Sequence, residues 1–169
     1  MADEADSQDL VDEVVESFSR ARPDIDPDTL RTLCRIIVAG RLLEDRAAAL
    51  LKPSGMIYTD FDILGMLRRT GPPHELTPND LIRMVMISSG AVTAALGRLE
   101  KQGYVARRVS DEDRRVRIVS LTDEGKRVID EAFTVRMDDA AEAFSGFSED
   151  DHKAIDRLLR DVASRLGQS

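Results

Sequence analysis

TPNDLIRMVMISSGAVTAALGRLEKQGYVARRVSDEDRRVRIVSLT, residues 77–122, is the stretch whose reading decides the fold. Thr77 caps a first helix, Pro78 suits its first position, and Asp80 completes a Thr-x-x-Asp capping box. Leu81, Met84 and Val85 supply an apolar face. The pattern breaks near Ile87, and Ser88 or Ser89 caps a second helix. That helix ends near Gly103, a residue suited to a left-handed C-terminal cap. Val92, Ala95, Leu96 and Leu99 recur at helical spacing and are expected to be buried. The other face carries Gly90, Thr93, Ala94, Gly97, Arg98 and Lys101, most of them small. A face of small residues lets a helix lie close in a DNA major groove, with Arg98 and Lys101 reaching phosphates. The plainer alternative is a solvated helix packed on a core.

The next segment of the chain favours the groove. Tyr104–Val109 and Val116–Leu121 are two β-rich runs, and Ser110–Arg115 between them is a polar turn. Arg107, Arg108, Arg114, Arg115 and Arg117 crowd this hairpin. An arginine at its tip can enter the narrow minor groove, where the potential is most negative. Asp113 stands two residues before Arg115 and is placed to hold its side chain. The alternative is a surface hairpin with solvated charges. Helix, turn, helix, hairpin is the order of a winged helix-turn-helix, so the fold class expected is mainly α with a small β-hairpin wing.

The stretch resembles the MarR family of bacterial transcriptional regulators. The resemblance rests on Leu76-Thr77-Pro78, Ser88-Ser89-Gly90-Ala91-Val92-Thr93, Arg98-Leu99-Glu100 and Gly103-Tyr104-Val105. It is joined by Asp113-Arg114-Arg115 in the wing and the closing Val119–Gly125. It implies DNA contacts at Thr77, Ser88, Ser89, Gly90, Ala91, Thr93, Ala94, Arg98 and Lys101, and at Arg107, Asp113, Arg114, Arg115 and Arg117 in the wing. Many relatives carry Asn-Arg or similar polar residues where this chain has Ala94-Ala95, which removes base-reading groups from that part of the helix. The resemblance also implies a homodimer on an inverted repeat of double-stranded DNA, and a small-molecule effector held between the dimer helices and the reading module. No cofactor is implied.

Composition sets bounds. The chain has 169 residues and a net charge of −8. Residues 77–121 hold eight Lys and Arg against five Asp and Glu, a balance of +3, which leaves −11 for the rest. A basic reading face on an acidic body is compatible with DNA binding and works against non-specific binding. No run of 18 apolar residues is present, so no membrane span is expected. The acidic, polar opening Met-Ala-Asp-Glu-Ala-Asp does not read as a secretory leader, and the single cysteine, Cys34, suits a reducing compartment. A cytoplasmic location is expected.

Outward from the central stretch the chain reads as helices. Leu10, Val11, Val14, Val15 and Phe18 mark an amphipathic helix from about Ala5 to Arg20, within an N-terminal extension of residues 1–25. A subgroup of the resembled family, which includes regulators responding to urate and related anions, carries such an extension; the alternative is a helix that only widens a dimer interface. Asp26-Pro27 opens a long helix that stops at Lys52–Gly55, and Thr59 caps the next. His74-Glu75-Leu76 is placed to add a third strand to the wing. Thr122 caps a helix to about Ser145, and Ser148 with Asp151 opens the last one. By the resemblance, residues 26–169 form one domain, with the winged helix-turn-helix at about 59–122 and dimerisation helices at about 26–52 and 122–167.

Three further residues invite chemistry. Cys34 lies on the apolar stripe of the long helix; the default is a packed thiol, and the alternative is a redox switch, since peroxide-sensing relatives keep a cysteine near this place. Asp62 matches an acidic residue beside the ligand pocket of the urate-type subgroup, and Arg98 an arginine linking that pocket to the recognition helix. The alternatives are helix-dipole complementation for Asp62 and a phosphate contact for Arg98. His74, His152 and Cys34 show no metal-ligand spacing, and no catalytic pattern is present, so neither a metal nor an enzyme is expected. The reading is a dimeric sequence-specific DNA-binding regulator, a repressor released by a small aromatic or anionic ligand. Its alternatives are a cysteine-based redox regulator and a winged-helix protein–protein interaction module that does not bind DNA.

Overall fold

The computed structural model describes residues 9–167. It forms two compact units, one ending at Tyr58 and the other beginning at Thr59.

The first unit is a helical hairpin. Helix α1 (Leu10–Ala21) starts where the Asp9 carboxylate accepts hydrogen bonds from the N–H groups of Val11 and Asp12, both at 3.0 Å. The expected start near Ala5 lies outside the described residues; among these, Asp9 sets the boundary because its side chain takes up the first free amides. Helix α2 (Pro27–Leu51) is capped by Asp26 on Thr29 N at 2.9 Å. α1 buries Val11 and Val15. Its acidic edge faces two arginines of α2: Arg31 reaches Asp12 at 3.3 Å, and Arg35 reaches Asp12 at 2.9 Å and Asp9 at 3.4 Å. Of the apolar stripe of α2, Ala47 and Leu51 are buried, while Leu33, Ile37, Val38 and Leu42 stay exposed.

Helix α3 (Tyr58–Arg69) starts on the last residue of the first unit and otherwise belongs to the second. Thr59, expected as its cap, is already the second helical residue, a shift of the size by which helix ends commonly move. Then come β1 (Glu75–Leu76), α4 (Pro78–Val85), α5 (Ser89–Lys101), β2 (Val105–Val109), β3 (Arg117–Leu121), α6 (Asp123–Ala143) and α7 (Glu149–Leu166). The three strands form an antiparallel sheet in the order β1-β3-β2, with Arg107 opposite Val119 and Leu76 opposite the same Val119 on the other side. The expected third strand is thus present, though His74 precedes it: it is buried with φ at 59°. α4 and α5 turn through 116°, within the range of a helix-turn-helix. The turn is made by Met86 in the left-handed region, at φ 56°.

The core of this unit joins Ile63, Leu64 and Leu67 of α3, Leu81 of α4, Leu96 and Leu99 of α5, Val119 of β3 and Ile129 of α6. Its helices are mainly closed by local caps. Thr77–Asp80 and Ser148–Asp151 both form reciprocal capping boxes. α7 buries none of its residues, and Leu158, Leu159 and Leu166 are exposed. Among the described residues no single helix is long and apolar enough to cross a membrane.

Candidate nucleic-acid interface

Helix α5 has the two faces its spacing demands. Val92, Ala95, Leu96 and Leu99 are buried, while Gly90, Thr93, Ala94, Gly97, Arg98 and Lys101 are exposed and Ala91 is half-buried. Ser88 rather than Ser89 is the cap, its hydroxyl accepting from Ala91 N at 3.2 Å. The Thr93 hydroxyl donates to the Ser89 carbonyl at 2.8 Å, which leaves its oxygen as an outward acceptor. The exposed surface of α5 is therefore a shallow, nearly side-chain-free strip with its charge at the C-terminal end. Backbone can approach a base edge or a sugar closely along such a strip.

The wing tip is an ordered structure. The Ser110 hydroxyl lies 3.3 Å from Glu112 N and 3.5 Å from Asp113 N, and the Asp113 carbonyl accepts from Val116 N at 2.9 Å. Asp113 Oδ1 then accepts from Arg115 N at 2.9 Å and from Arg115 Nε at 3.4 Å. The pairing expected from the sequence is present, and it aims a side chain that is 92 % exposed. Arg114 and Arg117 are exposed, with no ion pair among the described residues.

Two wing arginines are tied down. Arg107 Nε meets Glu100 of α5 at 3.1 Å, which locks the wing to the recognition helix. Arg108 pairs with Glu75 of β1 at 3.0 Å and with Asp111 at 3.3 Å, and the Glu75 hydrogen bond holds its pKa above the ordinary arginine value. Arg107 is thus a DNA-contact candidate already engaged by a carboxylate of the protein itself.

Thr77, Pro78 and Asn79 at the start of α4 line one groove with Arg115, Val116 and Arg117, of about 320 Å³. The first turn of a helix and two guanidinium groups thus flank one concavity, an arrangement that suits a phosphate. The Asp80 carboxyl inside this first turn is held below the usual carboxylate range, chiefly by the Thr77 hydroxyl at 2.7 Å.

The remaining candidates are distributed differently. Arg98 is engaged by a carboxylate, and that carboxylate is Asp60, with Nη2 to Oδ1 at 2.7 Å. Asp62, two positions on, is half-buried in α3. Asp60 does not stand out in the sequence, because an acidic residue in a first helical turn is explained locally by the helix dipole. Cys34, in the first unit, is half-buried beside an apolar groove lined by Leu10, Val11, Val14, Val38 and Leu42. No group of three or more His, Cys, Asp or Glu capable of holding a metal occurs among the described residues.

Comparison with known proteins fits this geometry. The family model described as MarR family matches residues 54–116. The chain is 28% identical to the HTH-type transcriptional regulator PecS of Dickeya dadantii, over 92% of this chain and 94% of that protein. It is 30% identical to the transcriptional repressor MprA of Escherichia coli, over 82% of this chain and 77% of MprA. Among solved structures it resembles Sco3205, a MarR family transcriptional regulator from Streptomyces coelicolor in complex with DNA. There the TM-score is 0.76 and the identity 27%, covering 84% of this chain and 89% of the other.

Proposed function

The chain belongs to the MarR family of winged helix-turn-helix, DNA-binding transcriptional regulators, and from that premise we propose that it is a homodimeric repressor released by a small aromatic or anionic ligand. The observation that carries the reading is the wing tip: a strongly exposed Arg115 aimed by Asp113, in one groove with the start of α4. In this reading α5 lies in the major groove through its small-residue strip, and Arg115 enters the adjacent minor groove.

Exposed apolar residues support the dimer. Leu33 and Leu42 on α2, Met137 on α6, and Leu158, Leu159 and Leu166 on α7 are left in solvent by a single chain. A two-fold dimer sets two recognition helices about 34–36 Å apart, one DNA turn, and so reads an inverted repeat. The naming of MprA as a repressor supports repression here. For the effector, the second unit offers an apolar groove of about 220 Å³ between α3 and α6, lined by Gly65, Ile129 and Phe133 and bordered by Arg69 and by Arg68, which pairs with Asp130 at 2.8 Å. A ligand acts only through unequal affinity for two states, so it must favour a spacing of the recognition helices that mismatches the operator.

Transcription in vitro from the promoter upstream of the chain's own gene tests this. Added protein is expected to lower transcript, and small aromatic carboxylates to restore it. Increased transcript would make the chain an activator, and no response to any such anion would remove the effector class.

A further inference from the structure

Ser110 stands where the edge of the wing becomes its tip. β2 is an outer strand of the sheet, so one side of its backbone is unpaired by the sheet. It leads an extended run, Arg107-Arg108-Val109, directly into Ser110. Beyond Ser110 the chain turns: the Asp113 carbonyl accepts from Val116 N at 2.9 Å, and the Asp113 carboxylate accepts from Arg115 N at 2.9 Å. The Ser110 hydroxyl is lightly held. It takes two long contacts, from Glu112 N at 3.3 Å and from Asp113 N at 3.5 Å, and its own proton has no acceptor among the described residues.

An enzyme that modifies a serine in a folded protein needs an extended segment to lay in its cleft and side chains to recognise. Here the extended side is the N-terminal one, and it offers two guanidinium groups, at the second and third positions before the hydroxyl. Their ion pairs, to Glu100, Glu75 and Asp111, are partly solvated, with 30% of the Arg107 side chain and 44% of the Arg108 side chain exposed. Pairs of this kind hold weakly, so the carboxylates of a partner can replace them.

The place of Ser110 gives its modification a consequence. Its N–H donates to the Val116 carbonyl at 2.9 Å across the hairpin, and Val116 lies between Arg115 and Arg117 in the groove at the start of α4. A phosphoserine carries a charge of about −1.5 to −2 and three strong acceptor oxygens. On Ser110 it offers Arg115 and Arg117 the same group that a DNA backbone offers, from the same chain and so at high effective concentration. It also repels any DNA phosphate that approaches the wing.

We propose that Ser110 is a phosphorylation site, taken by a serine kinase that recognises Arg107 and Arg108, and that its phosphate occupies the wing arginines and releases the operator. In the transfer, Ser110 Oγ attacks the γ-phosphorus of a nucleoside triphosphate. The bond from that phosphorus to the β,γ-bridging oxygen breaks, the nucleoside diphosphate leaves with its electron pair, and the hydroxyl proton passes to a carboxylate of the kinase. The inference rests on the reading of the wing as a DNA contact.

The full chain is incubated with magnesium and ATP in an extract of cells that carry its gene, and separately with a purified arginine-directed serine kinase. Peptide mass spectrometry locates the phosphate. Both treatments are expected to label Ser110, and Arg107→Gln/Arg108→Gln is expected to lose most of the label. Operator binding by the phosphorylated chain, checked for folding by thermal melting, is then followed by fluorescence anisotropy over a salt series. Affinity is expected to fall about tenfold or more, with a salt slope shallower by about 0.9 to 1.8, the values for one or two lost phosphate contacts. Ser110→Ala is expected to bind equally before and after the same treatment. The proposal is overturned if the extract places no phosphate on Ser110, if the label survives Arg107→Gln/Arg108→Gln, or if the folded, phosphorylated chain binds as well as the parent. Arg115→Ala separates the last outcome from failure of the underlying reading. Should Arg115→Ala weaken binding where the phosphate does not, only the phosphate switch falls; should neither weaken it, the wing does not meet DNA and both fall.

Discussion

Gly125→Ala is expected to be among the most damaging single-methyl changes in this chain. Gly125 sits in the first turn of α6, beneath the end of the wing, and its N–H donates to the capping hydroxyl of Thr122 at 3.0 Å. A Cβ there would lie inside the van der Waals shell of the Tyr104 carbonyl oxygen, and 2.9 Å from both the Tyr104 carbonyl carbon and Leu121 Cδ1. Leu121 could rotate away, but Tyr104 is backbone. Its carbonyl also accepts from Thr122 N at 3.0 Å, while the Thr122 hydroxyl donates to the adjacent Gly103 carbonyl at 2.7 Å, so moving it disturbs the joint between wing and α6. Overpacking costs about 1–3 kcal/mol. Loss of one hydrogen bond adds about 0.5–1.5 kcal/mol. Alanine returns about 1 kcal/mol of helix propensity. The net is a loss of about 0.5–3.5 kcal/mol, centred near 2 kcal/mol. Urea unfolding at a fixed protein concentration measures this directly. A variant within about 0.5 kcal/mol of the parent, the spread of ordinary surface changes, would refute the account of this joint.

Other perturbations probe the wing, the caps and the exposed apolar face of α7. Arg115→Ala is expected to weaken operator binding by about 1–3 kcal/mol without changing stability; unchanged affinity in an anisotropy titration would remove the wing from the interface. Thr77→Ala is expected to cost about 1 kcal/mol of stability through the lost cap, read by urea unfolding. Because the pKa of Asp80 is lowered on folding, its contribution is present above the ordinary carboxylate value of about 4 and is lost as pH falls through the lowered value. Asp80→Asn should therefore flatten the acid limb of the stability profile, and an identical limb would show that the capping box does not set it. Leu158→Asp on exposed α7 should leave helix content intact and shift the chain to monomer in sedimentation equilibrium; a persistent dimer would place the interface elsewhere.

Local chemistry was readable in the sequence, and distant pairing was not. Thr77 with Asp80 and Ser148 with Asp151 declare their helices because each cap joins residues three apart. The wing register likewise follows from two β-rich runs and a polar turn, and Asp113 with Arg115 is a local pair. The recognition helix could be read because its burial repeats at 3.6 residues. By contrast, Arg98 with Asp60 spans 38 residues and Arg108 with Glu75 spans 33. Nothing in the local pattern distinguishes a carboxylate that complements a helix dipole from one buried against a distant guanidinium. The helix from about Ala5 illustrates a different limit: the acidic lead offers several residues able to cap, and only the backbone geometry selects Asp9.

Operator binding by the wild-type chain tests the central claim most directly. The purified protein, with Cys34 kept reduced, is titrated against DNA from upstream of its own gene over a range of salt concentrations, with subunits per site counted. The account predicts selective binding to an inverted repeat, two subunits per site, and an affinity that falls steeply with salt. Binding that does not discriminate this DNA from random sequence at any salt concentration would contradict it.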